Sequence, residues 1–246
     1  MQSHSFRLNN LRNILEGYFK PAIEPPALPG WQTLKKAGTN EQVMALYKNL
    51  GGVKSRASLK VHWAAVHLEV GTVLLDSPLH FNRYRLQTLQ MPFYDDFSGF
   101  SVNNHRTWCR KFERECLKSG MAGQLWTNGM SVKQFGRAEA PGDFSGNGSP
   151  AWKQRAFEDF VTDVAAAASA SVNIVRLSVY DNLMLNRQLV KTGDILSNPD
   201  ERMAEALASM VARRLGVEPP PKKERGNLED PAKGESNNHD QPGAEI

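Results

Sequence analysis

The chain has 246 residues and a mass of 27.4 kDa, long enough to bury a real core as one domain or a lean pair. Its 40% apolar and 23% charged content is that of an ordinary globular protein. No apolar run approaches the ~20 residues of a membrane span, and MQSHSFRLNN has no signal-like apolar region, so the expected address is the cytoplasm.

The net charge of +4 is unevenly spread. The body through Gly216 carries 26 basic and 19 acidic residues, a net +7, whereas the remainder carries four basic and seven acidic. A basic body favours polyanionic partners, nucleic acid first, although a basic solvated surface reads the same way. Cys109 and Cys116 lie seven apart in a predicted helix, ~10 Å along its axis at the helical rise. That is beyond disulfide reach, so both are expected reduced. No paired CxxC suggests structural zinc.

In chain order, residues 5–19 place Phe6, Leu8, Leu11, Ile14, Leu15 and Phe19 at helical spacing. The proline-rich stretch Pro21 to Gly30 predicts a loop, and Asn40 to Asn49 a second helix closed by Gly51-Gly52. Residues 1–57 are thus expected as an N-terminal helical extension. From Ser58 the period shortens to that of strands: Leu59, Val61, Trp63 and Ala65 lead to Leu68, and Val73-Leu74-Leu75 follow a turn. With Val70-Gly71 as the loop, Ala65 would pair with Asp76, and His67 would be a diagonal neighbour of that carboxylate. His80 to Met91 reads as helix, Pro92 to Phe100 as an aromatic loop, and Asn103 or Asn104 to Ser119 as one helix ended by Gly120. Residues 120–148 have little pattern. Ser149 as N-cap and Pro150 as first residue predict a strong helix through Ala168. Asn173 to Tyr180 reads as a strand and Asp200 to Leu215 as the last helix. The tail, 217–246, is disordered by composition. The order implies an α/β core at 58–216 with a small mixed sheet.

Chemistry concentrates at the end of the second strand. Asp76 leaves an apolar run as a turn former or a metal ligand, and His80 follows one turn later as a possible ligand or acid–base group. Lys153 falls on the apolar stripe of Phe157, Phe160 and Val164. An ammonium there must snorkel or find an anion, and Asp76 is an available one. Arg83, Arg85, Arg106 and Arg110 mingle with Phe81, Tyr84 and Trp108, a mixture suited to phosphate contact and base stacking or to a solvated helical face.

The order LLDSPLHFNRYR, then GNGSPAWKQRAFEDF on a long helix, then a strand with Val175-Arg176-Leu177, resembles the PD-(D/E)XK nuclease superfamily. The similarity is to the branches near very-short-patch-repair endonucleases, and to an uncharacterised bacterial family carrying the same two signatures. It covers about Lys60 to Asp181. It implies a restriction-endonuclease-like fold, Asp76 as metal-binding carboxylate, His80 near metal or phosphate, and Lys153, Arg155 and Asp159 on the helix beside the core. Arg83, Arg85 and Arg155 would contact nucleic acid, DNA before RNA, and Mg²⁺ would be the cofactor. The acidic positions of that pattern are neutral here: Ala64, Leu74 and Ser77. The expectation is therefore a nuclease-like protein, weakened or inactive, that binds or acts on nucleic acid. The alternatives are an active Mg²⁺-dependent DNA endonuclease and a non-enzymatic interaction module.

Overall fold

A computed structural model describes residues 3–24, 26, 30–59, 65–168 and 173–221. The expected strand residues 60–64, with Trp63 and Ala64, lie outside them, as does the tail from 222. The architecture is mixed α/β, a small mixed sheet flanked by helices. No helix among the described residues is long and apolar enough to cross a membrane.

Three helices open the chain: α1 (His4–Glu16), α2 (Trp31–Lys36) and α3 (Asn40–Asn49). Ser3 caps α1 by accepting from the Phe6 N–H, and Leu11, Ile14 and Leu15 form its buried face. That face packs on β1 (Ala65–Leu68) and on the last helix, α10 (Glu201–Leu215). Leu11, Leu34 and Leu46 belong to the same apolar core as the sheet, so the N-terminal helices share one core with the rest.

β1 pairs antiparallel with β2 (Gly71–Asp76), which pairs parallel with β3 (Ile174–Ser178). The hairpin turn is Glu69-Val70 and not Val70-Gly71. Ala65 therefore faces Leu74 and His67 faces Thr72, overturning the expected register. Gly71 belongs to the strand: a Cβ on it would meet the Asn173 carbonyl at 2.8 Å, so only glycine lets β3 begin so close. The shift carries Asp76 past the end of β1. His67 instead places Nδ1 3.1 Å from Thr72 Oγ1.

The parallel β2–β3 pair needs a long connection, and five of the ten described α-helices lie in it. A single 3₁₀ turn, Pro78–His80, precedes α4 (Arg83–Thr88), whose N-cap Asn82 accepts from the Tyr84 and Arg85 N–H groups. The helix expected from 103 to 119 is two, α5 (Val102–Lys111) and α6 (Glu113–Gly120). They break at Phe112, which stacks on Tyr180 with centroids 3.8 Å apart. Both cysteines are buried and unpaired, and burial pushes their thiols up to about 12. Then come α7 (Gly129–Phe135), and α8 (Pro150–Ala167) with the expected Ser149 cap. After β3 the short strands β4 (Asn182–Leu185) and β5 (Gln188–Lys191) make a separate hairpin, and α9 (Thr192–Ile195) leads to α10.

Candidate functional site

Helix α8 decides the site. Most of its residues are buried, so it has two inward faces and not one. Phe157 and Phe160 point into a helical layer of aromatics: Tyr47 and Phe135 lie against Phe157, Phe93 and Tyr94 against Phe160. Asp159 and Asp163, one turn apart, point at the sheet instead. There they meet Arg176, the central residue of β3, which is 2% exposed.

Arg176 holds three carboxylates. Its Nη1 donates to Asp76 Oδ1 at 2.7 Å and its Nε to Asp163 Oδ1 at 2.7 Å, while Nη2 lies 3.2 Å from Asp159 Oδ1. A second buried guanidinium, Arg85, donates to Asp163 Oδ2 at 3.0 Å and to the Tyr94 hydroxyl at 2.9 Å. Tyr94 donates in turn to Asp163 at 2.6 Å. The other oxygen of Asp76 lies 3.2 Å from His105 Nε2. Three carboxylates thus meet two guanidiniums, with Asp76 and Asp163 buried and Asp159 reaching the cleft. Burial by itself would raise the Asp76 pKa, but Arg176, with His80 and His105, holds it well below the usual carboxylate range. Burial would lower the Arg176 pKa, and Asp163, Asp76 and Asp159 raise it well above the ordinary value instead.

His80 closes the group. Its Nδ1 accepts from the Ser77 backbone N–H at 3.0 Å, which fixes the ring. Nε2 then sits 4.0 Å from both Asp76 Oδ1 and Asp159 Oδ1. Burial lowers the His80 pKa against the pull of Asp159 and Asp76, so the ring is neutral at neutral pH. Asp76, His80 and Asp159 offer ligand atoms within 4.8 Å of one another, a candidate metal triad. These residues line a cleft of about 350 Å³ with Arg155, Glu158, Gln154 and His4. Burial raises Glu158 to about 7, although Gln154 Nε2 donates to it at 2.7 Å.

The structure brings together some of the residues singled out from sequence and separates others. Asp76, His80 and Arg155 share the cleft. Lys153 does not: it stands six residues before Asp159, about 120° around the helix at 3.6 residues per turn. Its Nζ donates to Asn147 Oδ1 at 2.6 Å and lies over the Tyr84 ring. Burial lowers its pKa. The apolar stripe that includes Lys153 faces the helical layer and not the sheet, so Lys153 takes no part in this site. Arg85, read as a nucleic-acid contact, is 1% exposed and committed to Asp163. Arg83 is exposed but forks onto Glu113 at 2.8 and 3.1 Å. Arg155 is the one of the three without a carboxylate at ion-pair distance among the described residues.

Sequence reasoning missed Asp163, His105, Tyr94, Glu158 and His4, and gave Arg176 no role beyond its strand. A signal existed for the centre: an arginine inside the apolar strand IVRLS needs a buried acid, and Asp159 and Asp163 are one turn apart on the preceding helix. His105 and Tyr94 reach the site only through the turns between helices and leave no spacing to read.

Fold and site together define an α/β protein with a guanidinium-bridged acid cluster at the end of a parallel strand pair. Residues 45–198 match a family of unknown function (DUF7255), and the chain belongs to that family. No curated protein and no solved structure matches it.

Proposed function

We propose that the protein is a nucleic-acid-binding relative of restriction-endonuclease-like enzymes whose acid cluster maintains the fold and does not cut. The observation that carries this reading is Arg176. It donates to Asp76 Oδ1 and lies 3.2 Å from Asp159 Oδ1, the side where a catalytic cation would stand, so a fixed guanidinium supplies the positive charge. Leu74, where the family pattern has an acid, lies opposite Arg176 across the strand pair.

Mg²⁺ does not fit these residues. It prefers a near-octahedral shell of oxygens, whereas this triad offers one imidazole nitrogen and two carboxylates, of which Asp76 accepts from Arg176 and Asp159 lies 3.2 Å from the same guanidinium. The second carboxylate that the strand lacks is present on α8 as Asp159, but it arrives paired. Binding is supported by the net +7 of the body and by Arg155 at the cleft, which has no carboxylate at ion-pair distance among the described residues. Two reduced cysteines suit the cytoplasm, where such a partner is abundant.

The test is incubation of the purified protein with labelled single- and double-stranded DNA and RNA, with Mg²⁺ or Mn²⁺. A salt-sensitive mobility shift without products is the expected result. Cleavage that disappears in Asp76→Asn and Asp159→Asn overturns the loss of activity. Neither shift nor cleavage overturns the nucleic-acid reading and leaves an interaction module.

A further inference from the structure

The cleft at Asp76 does not end at its own mouth. His4 and Leu125 line it and also line a second cavity, of about 470 Å³, between α1 and the end of α6. Both cavities fall in the ~300–1,000 Å³ range of ligand sites, and through these shared residues they adjoin as one trough. The rim of the trough is basic. Arg7 comes from α1, Lys118 from α6 and Arg155 from α8, and none has a carboxylate at ion-pair distance among the described residues. Arg7 spends only its Nε, donating to Ser197 Oγ at 3.1 Å. The floor is apolar, with Leu79 and the 40%-exposed Leu125.

Two groups lining the cleft lack hydrogen-bond partners among the described residues, one of them at the junction. His4 Nδ1 is shielded from solvent without a hydrogen bond. Gln154 is 8% exposed and lines the cleft; its Nε2 is committed to Glu158, which leaves Oε1 as a buried acceptor with no donor. An orphaned acceptor in a concave site is open to a donor from a bound molecule.

We propose that this trough is a path for single-stranded nucleic acid, with phosphates along Arg7, Lys118 and Arg155 and one base turned into the cleft at His4 and Gln154. The proposal rests on the nucleic-acid reading above and names its strand type and route. Rim cations without acids recognise a polyanion. Apolar floor and a flat imidazole at the junction suit an unpaired base, which a duplex keeps stacked inside. Burial, with the positive charge of Arg155 adding to it, lowers His4 to about 4, so at neutral pH it offers a neutral ring. A base edge carries the N–H that Gln154 Oε1 lacks. Arg176 and Arg85 offset two of the three charges of the acid cluster, so the phosphates run along the basic rim and not over the carboxylates.

Fluorescence anisotropy with a labelled single-stranded oligonucleotide and its duplex, at several salt concentrations, tests this. Arg7→Glu, Lys118→Glu and Arg155→Glu should each weaken single-strand binding roughly fivefold or more and flatten the salt dependence by about one phosphate contact. Lys35→Glu on α2, which lines neither cavity, should stay within about twofold. His4→Ala should weaken single-strand binding and His4→Phe restore it, a rescue that a purely structural histidine would not give. Circular dichroism melts check that each variant folds. If the protein binds single strands but the three reversals match Lys35→Glu, the trough is not the path. Tighter binding of the duplex, weakened by the same reversals, overturns the strand assignment alone. No binding of either form by the unaltered protein defeats the nucleic-acid reading itself.

Discussion

Arg176 and Lys153 are both cations withdrawn from water beside helix α8, and they are buried on opposite terms. Arg176 has three carboxylates within 3.2 Å and no freedom to move. Lys153 has one amide oxygen, an aromatic face and the approach of Gly51, whose added Cβ would meet Nζ at 3.1 Å. A guanidinium can fork among several oxygens, whereas an ammonium is a compact charge on a flexible stem that reaches the nearest polar atom. The sheet side of α8 is therefore an electrostatic knot, and the helical side is packing with one snorkelled charge. The two also differ in neighbours: Asn147, which receives Lys153, is itself held by donating to the Phe135 and Arg137 carbonyls at 2.8 and 2.7 Å.

Removing the guanidinium is the severest way to break this comparison. Arg176→Met takes the guanidinium from Asp76, which keeps the His105 contact, and leaves Asp159 with no cation nearer than 4.0 Å among the described residues, while Asp163 keeps Arg85 and Tyr94. It should cost about 3–5 kcal/mol, read from urea unfolding. A loss below about 1 kcal/mol would mean the knot is not what holds β3 to α8. Metal addition probes the same place. With Arg176 present, millimolar Mg²⁺ should leave the melting temperature unchanged, because a ligand stabilises only in proportion to its affinity for the folded state. A rise of several degrees that vanishes in Asp159→Asn would show that the triad takes the ion after all.

A smaller effect is expected from Glu158, whose folded pKa of about 7 lies above its ordinary value. The folded chain then holds a proton that the unfolded chain has lost, so this group makes stability fall as pH rises from about 4.5 to 7. Glu158→Gln should flatten that part of the profile and raise the melting temperature at pH 8 by ~2–4 °C, the shift of about 1 kcal/mol in a chain of this size. Asp76 acts with the opposite sign: its depressed pKa contributes stability above the ordinary carboxylate range that is lost as pH falls through its folded value. Asp76→Asn should remove that acid-side slope. The smallest change is Lys153→Met, expected within about 1 kcal/mol of the unaltered protein, since the substitution keeps the stem and deletes a charge that pairs with no acid. A loss equal to that of Arg176→Met would erase the distinction between the two sides.

Local patterns were read well where one residue's chemistry sets the backbone. Ser149-Pro150 starts α8 and α3 runs from Asn40 to Asn49 as expected, and the last helix falls where it was read, with Asp200 as its cap. The failures are where packing chose between equal local options. The β1–β2 turn could sit at either of two dipeptides, and contact with Asn173 selected Glu69-Val70. The α5–α6 helix could have continued, and Tyr180 drew Phe112 out of it. Of the candidate site, Asp76 and His80 stood out in the sequence beside one strand end, Arg155 and Asp159 entered only through the resemblance, and Lys153 was misplaced because α8 has two buried faces.

By itself, the sequence determined that an apolar strand ends in Asp76, that His80 follows one turn later, and that a long helix and an arginine-bearing strand come after. Those are consequences of periodicity and capping, which act within a few residues. Only the tertiary structure decided what the carboxylate faces. Arg176, 100 residues away, reaches Asp76 because β2 and β3 are parallel neighbours, and Asp159 and Asp163 reach Arg176 because α8 turns its charged face to the sheet. Pairing a buried charge is a long-range requirement, met by whichever partner the fold delivers. Here the fold delivers a guanidinium.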